Sequence, residues 1–270
     1  MKQIILLLII IAGVKTASAQ ELFTFTEPAS NMAAKSVGLR LNNYFMKDIH
    51  TSKINYHLLP EVMWGVSKNI MVHGEVFLSN RNNAFIAEGG SVYLKYRLFS
   101  TDEVHSHFRI AAFGRYSFNN SYIHQPAIDF FGHSSGYETG LVATKLIHKV
   151  ALSGSVSSLH ANDNGKEKFL YGNKSRNAIN YTLSFGKLML PKEYTSYKQV
   201  NVNAMLEILG QSNLQYGYNY LDVAPSVQFI IGSRLRIDAG YRYPLITKLH
   251  RTAPQGALLR LEYNFFNVFK

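Results

Sequence analysis

The sequence predicts an all-β chain, a transmembrane antiparallel β-barrel of the outer-membrane type with about 12 strands (roughly 10–14). Three observations predict it. The chain opens on an export signal and then has no apolar run long enough for a spanning helix. Short segments alternate apolar and polar residues with a period of two, and the connections between them sort by length.

Residues 1–19, MKQIILLLIIIAGVKTASA, carry Lys2, an apolar run from Ile4 to Val14, and Ala17 and Ala19 in an A-x-A arrangement before Gln20. This is the pattern of a cleaved secretory signal peptide. The run is shorter than the ~20 residues of a spanning helix, and no later segment reaches that length without charge. Losing Lys2 and Lys15 takes the formal charge from +11 to +9. A basic balance suits nucleic acid, anionic lipid or an anionic solute. Export removes nucleic acid from the expected partners. The chain has no cysteine, hence no disulfide framework and no lipid-bearing thiol, and the fold must close through sheet pairing and packing. No linker or composition shift divides it, so residues 36–270 are expected to form one barrel. Residues 20–35 are expected to form a periplasmic segment: ELFTFTEPASNMAAK contains Pro28, lacks alternation, and either plugs or props the barrel or stays a loose terminus.

The alternating segments follow in order, since successive strand side chains point to opposite faces. Val37, Leu39 and Leu41 oppose Arg40 and Asn42; Tyr56, Leu58, Val62 and Trp64 oppose His57, Glu61 and Met63. Ile70, Val72, Val76 and Leu78 oppose His73, Glu75 and Ser79; Val92, Leu94, Tyr96 and Leu98 oppose Lys95 and Arg97. The fifth sets Phe108, Ile110, Tyr116 and Phe118 against Arg109 and Arg115. The sixth, 136–146, carries Glu138 and Thr144 inward, and the seventh, 150–159, is serine-rich and weakly patterned. The eighth, 178–190, is followed by a ninth with Glu207 inward and a tenth with Asp222, Ser226 and Gln228 inward. The last two are the cleanest. In residues 233–245, Leu235, Ile237, Ala239, Tyr241 and Tyr243 alternate with Arg234, Arg236, Asp238 and Arg242; in 257–265, Leu259, Leu261, Tyr263 and Phe265 alternate with Arg260, Glu262 and Asn264.

The connections SKN, IHK and GS, after the second, sixth and tenth segments, are very short. Those after the third, fifth, seventh, ninth and eleventh are longer, NNSYIHQPAIDFFGHSSG being an example. STDEVHSH and PKEYTSYKQ are exceptions on the short side. A soluble sandwich has no reason to sort loops by parity, whereas an outer-membrane barrel has short periplasmic turns and long outer loops.

Charges in strand interiors fall on one face, as expected where a cation facing lipid costs ~2–4 kcal/mol. Arg40, Lys95, Arg97, Arg109, Arg115, Arg234, Arg236, Arg242 and Arg260 then share the lumen with Glu61, Glu75, Glu138, Glu207, Asp222, Asp238 and Glu262, and with His73. They form either a salt-bridge network that replaces a hydrophobic core or an arginine-lined, anion-favouring passage.

The stretches YLDVAPSVQFIIGSRLRIDAGYRYPL, EGGSVYLKYRLFS, VNAMLEILG and LLRLEYNF together resemble a family of outer-membrane transporters named after the meta-pathway of phenol degradation, distantly like long-chain fatty-acid channels. The likeness spans most of the chain from about residue 36 to 265, on diffuse, strand-like motifs. It implies a barrel that passes or binds small, apolar or aromatic solutes, and it carries no catalytic residue with it.

No cofactor is expected, since no phosphate-binding loop or nucleotide fingerprint is present. A lipid-hydrolysing barrel would need a serine beside an oriented histidine; His73 faces the lumen and His160 begins a loop, so no enzyme is expected. His105 and His107, in DEVHSH, are weak metal candidates, with His124 and His133 in the longest loop. The expected partners are outer-membrane lipid and lipopolysaccharide, the latter through the basic, aromatic loop 166–174, a small solute, and the barrel-assembly machinery through the C-terminal strand.

Overall fold

The computed structural model describes residues 23–81, 84–103, 106–165, 167–169, 175–193 and 199–269. The proposed signal peptide and His105 lie outside them. Twelve strands close an antiparallel barrel in which each pairs with its sequence neighbours and the first pairs with the last. They are β1 (Ser36–Lys47), β2 (Ile54–Gly65), β3 (Ile70–Ser79), β4 (Ile86–Glu103), β5 (Ser106–Asn119), β6 (Gly136–Ile147), β7 (Val150–Ala161), β8 (Asn177–Leu190), β9 (Asn201–Asn213), β10 (Asn219–Ile231), β11 (Leu235–Thr247) and β12 (Gln255–Phe265). The closing seam runs from Val37↔Phe265 to Lys47↔Gln255 without interruption, leaving no free sheet edge there.

The period-two pattern sets which side is wet. Leu39, Val62, Val76, Leu94, Leu141, Val156, Leu183 and Leu206 are exposed on the outer wall. Their strand neighbours Arg40, Glu61, Glu75, Lys95, Ser157, Ser184 and Glu207 are buried inside. Aromatic side chains gather at both rims, as interfacial girdles do. Phe45, Tyr56 and Phe85 stack at the long-loop end with centroids 5.2 and 5.8 Å apart. Tyr263 packs on Phe265 at the short-turn end, and Trp64 on Phe269 just beyond β12.

Two details depart from the sequence reading. The stretch STDEVHSH is not a longer connection: β4 runs to Glu103, which pairs with Ser106 of β5. A register shift between Arg97 and Phe99 accommodates this extension and leaves Arg97 half-buried. The weakly patterned seventh segment is a strand as expected, and its serines suit a polar interior: Ser153 bonds Thr144, Ser155 bonds Thr182 and Ser157 bonds Glu138. Arg234 is the second departure and a correction to the expected lumen set. Gly232 and Ser233 adopt left-handed backbone (φ 57° and 58°) and turn the chain there, so Arg234 sits exposed in the β10–β11 turn.

One consequence concerns the outer wall. Leu141→Arg, at the centre of β6, is expected to destabilise the barrel by ~2–4 kcal/mol in lipid, read by equilibrium denaturant unfolding in liposomes. Unchanged stability would place this face away from the membrane.

Candidate functional site

A barrel of eight strands is filled by its own side chains, whereas sixteen strands leave a water channel. Twelve strands fall between, and here two stretches of chain occupy the interior. The first is residues 23–34, which enter from the short-turn end. Lys35 N–H donates to Gly65 O and Asn31 Nδ2 to Lys68 O at that end. Deeper in, the segment is held by the buried charges of the wall.

Glu207 is completely buried and takes three donors from this segment, Thr24 N and Phe25 N at 2.9 and 2.8 Å and Thr26 Oγ1 at 2.7 Å, beside Ser184 Oγ of the wall at 3.3 Å. Lys95, 0% exposed, donates to Pro28 O at 2.7 Å and Ser30 O at 2.8 Å, with Glu27 Oε2 at 3.7 Å. An ammonium has three donors and needs partners for them when buried; the two carbonyls and the carboxylate replace its water. Arg40 Nη1 joins Glu27 at 2.8 Å and Glu61 at 3.1 Å, while its Nε reaches Glu262. Arg236 spans Asp238 and Glu262 and donates to Phe23 O at 2.6 Å. Arg109 donates to Ser30 Oγ, and Ala29 N to Thr144 Oγ1. Arg260 donates to Asn42 and lies 3.6 Å from Asp238.

The second stretch is residues 120–135, between β5 and β6, which fold inward from the long-loop end. Ile128 exchanges both backbone hydrogen bonds with the side chain of Gln211, at 2.9 and 2.7 Å. Ile123, Ile128 and Phe130 pack on Leu159, Ala161, Phe169 and Ala178. Phe131 lies under the Arg115 guanidinium, 4.2 Å from it, and Arg115 also pairs with Glu75. His133 stacks on His57 of β2 and its Nδ1 faces Arg81. Burial lowers the His133 imidazole well below its usual value, and the Arg81 charge lowers it further, so His133 stays neutral and accepts the Arg81 N–H.

Between the two stretches lies a cavity of about 180 Å³. Phe25 closes it from one stretch, Ile128–Phe131 and His133 from the other, and Tyr44, Glu138, Asn180, Tyr220, Arg242 and Arg251 form its wall. Asp222, fully buried, gathers both arginines: Arg242 Nε at 2.5 Å and a two-pronged contact from Arg251 at 2.5 and 2.6 Å, with the Arg251 guanidinium 3.8 Å from the Tyr220 ring.

Most residues expected in the lumen are there. Arg40, Glu61, His73, Glu75, Lys95, Arg109, Arg115, Glu207, Asp222, Arg236, Asp238, Arg260 and Glu262 are buried inside, Arg242 and Arg97 half-buried, and Arg234 lies outside. His73 Nδ1 is 2.5 Å from Glu61 Oε1. His107 lies 3.1 Å from Asp102, and among the described residues no group of three or more His, Asp or Glu gathers around a metal-sized space. Sequence reading did not single out Glu27, Arg251, Phe131 or Gln211. Glu27 lies in the unpatterned segment 20–35 and Arg251 in the loop between the last two strands, and neither place carries a periodic signal.

No family model matches the chain, and no curated protein matches it in sequence. Two solved structures share its fold. The NanC porin superposes with a TM-score of 0.54 at 11% identity, over 84% of this chain and 98% of that one. An outer membrane channel from Pseudomonas putida F1 gives a TM-score of 0.54 at 8% identity, over 90% and 99%. The fold is thus that of an outer-membrane channel barrel. At such identities the likeness is one of fold alone.

The grip on the inserted segment is open to measurement because the chain has no cysteine. Ala29→Cys, whose parent side chain is 0% exposed, is expected to label slowly with a maleimide. Adding Glu207→Ala removes hydrogen bonds to a charged group worth ~1.5–3 kcal/mol each and should speed labelling at least ~10-fold. Equal rates would mean that Glu207 does not hold the segment.

Proposed function

We propose that the protein is a passive channel for small solutes in the bacterial outer membrane, exported with a cleaved signal peptide, and that this structure is its closed state. The observation that carries the reading is the means of closure. The lumen is blocked by two stretches of chain rather than by its own wall, and the inserted stretch 23–34 is tied to the wall by individual hydrogen bonds. Most involve one charged group and are worth a net ~1.5–3 kcal/mol each, and water can replace them one at a time. The cavity between the stretches has the mixed lining of a solute site, with Phe25, Tyr44, Phe130, Phe131 and Tyr220 beside Arg242 and Asn180. This lining favours a small apolar or aromatic solute with a polar end. The exposed apolar belt would face lipid, loops at the wide end would meet lipopolysaccharide, and the aromatic end of β12 would be read by the assembly machinery.

A second reading, a structural or surface-binding barrel with a permanently closed lumen, is favoured by the pairing of Arg40, Arg236 and Asp222 described above. A lipid-hydrolysing enzyme is a weaker alternative: Ser157 donates to Glu138, His160 faces Asn177, and His73 Nδ1 faces Glu61.

Conductance and solute flux in liposomes separate the first two. The full chain should conduct weakly, and a variant lacking residues 21–34 should conduct several-fold more while keeping heat-modifiable gel mobility. A folded deletion variant that passes neither ions nor small aromatic solutes above empty liposomes would sink the channel reading in favour of the closed barrel.

A further inference from the structure

At the long-loop mouth, the β1–β2 connection (48–53) and the β11–β12 connection (248–254) flank the seam where the barrel closes. Each presents one histidine to the other. His50 Nε2 and His250 Nε2 are 3.3 Å apart, with ring centroids at 5.4 Å and planes inclined by 32°. That separation is long for a hydrogen bond between nitrogens. It matches two ligands of one ion: metal–nitrogen bonds of ~2.0–2.1 Å at a tetrahedral angle place the nitrogens about 3.3–3.4 Å apart.

The positions of both rings are set by the loops beneath them. Ile49 N donates to Thr252 O at 2.9 Å, tying the two connections by their backbones. Asp48 Oδ1 accepts from His50 N and Thr51 N, both at 2.8 Å, and Ser52 N returns to Asp48 O, so His50 stands on a closed turn. Thr252 N and Oγ1 both donate to Gln125 Oε1, linking the pair to the inward-folded stretch 120–135. His50 is exposed and His250 half-buried, so an ion reaches the pair from outside. His250 turns Nε2 to the gap, and its Nδ1 is buried without a hydrogen-bond partner.

We propose that His50 and His250 form a two-histidine site for a divalent transition-metal ion of the zinc, nickel or copper class, which bridges the two loops over the β1–β12 seam. Two imidazoles suit these ions and not calcium or magnesium, which take oxygen ligands. Water or a solute oxygen fills the remaining coordination positions. Because both ligands are prearranged, the second nitrogen binds intramolecularly, and its contribution exceeds that of a lone surface histidine by about 10²-fold. The bound ion would hold the loops together and, through Thr252 and Gln125, the inward stretch with them. The site does not depend on the transport reading.

Zinc titration of the untagged, full-length protein in detergent, followed by calorimetry, tests this. The expected result is one strong binding event per chain that is weakened about 10²-fold by either His50→Ala or His250→Ala alone, and no further by both together. Calcium should give no such event. All variants should keep heat-modifiable mobility, which separates loss of the site from loss of the fold. Absence of the strong event in the parent protein, its persistence in the double variant, or single variants that each retain it would overturn the proposal.

Discussion

The structure depends on one constraint: every charge turned inward by the strand alternation must find a partner inside a lumen too wide for side chains to fill and too narrow for bulk water. Desolvating an ion costs several kcal/mol, and pairing repays this only with good geometry and full hydrogen bonding. The wall alone does not supply it. Lys95 and Glu207 are completed by the backbone of residues 23–30, and Arg40 by Glu27. The inserted segment is thus the missing part of the polar core, and the buried charges fix where each of its atoms sits. Such a network contributes little net stability over an apolar filling, but it specifies one arrangement among many.

The same constraint orders the other half of the lumen. Asp222 with Arg242 and Arg251 forms a neutralised group on one wall, and Arg115 with Glu75 and Phe131 forms another opposite the short-turn half. The inward loop rests on both an apolar cluster around Ile128 and Phe130 and the two-way bond to Gln211. What remains between loop and segment is a small cavity with aromatic walls and both signs of charge at its edge. A solute crossing the barrel would have to displace one or both stretches, so in the proposed channel the interactions that close the lumen would also set its gating.

Much of the wall was legible in the sequence because strand periodicity is local. A residue's face follows from its two neighbours, and Arg40, Glu75, Lys95 and Arg260 declare themselves in this way. The errors arose where local pattern and backbone diverge. Arg234 continues the alternation of β11, yet left-handed residues at 232 and 233 turn the chain before it. Arg97 lies beside a register shift that alternation does not record. The site itself was less legible. Glu27 meets Arg40 across 13 positions, whereas Thr24 meets Glu207 across 183 and Ala29 meets Thr144 across 115, and no periodicity announces such contacts. Arg251 lies in a loop whose composition gives no sign that it turns inward.

The claim that the charged wall draws residues 23–34 into the lumen is tested most directly by a disulfide. Ala29 N lies 2.9 Å from Thr144 Oγ1, and the protein has no cysteine of its own. In the folded Ala29→Cys/Thr144→Cys protein, mild oxidation should form an internal cross-link with high yield and a shifted gel mobility that reductant reverses. A barrel that folds normally but resists cross-linking, with both thiols freely labelled from solution, would contradict the account.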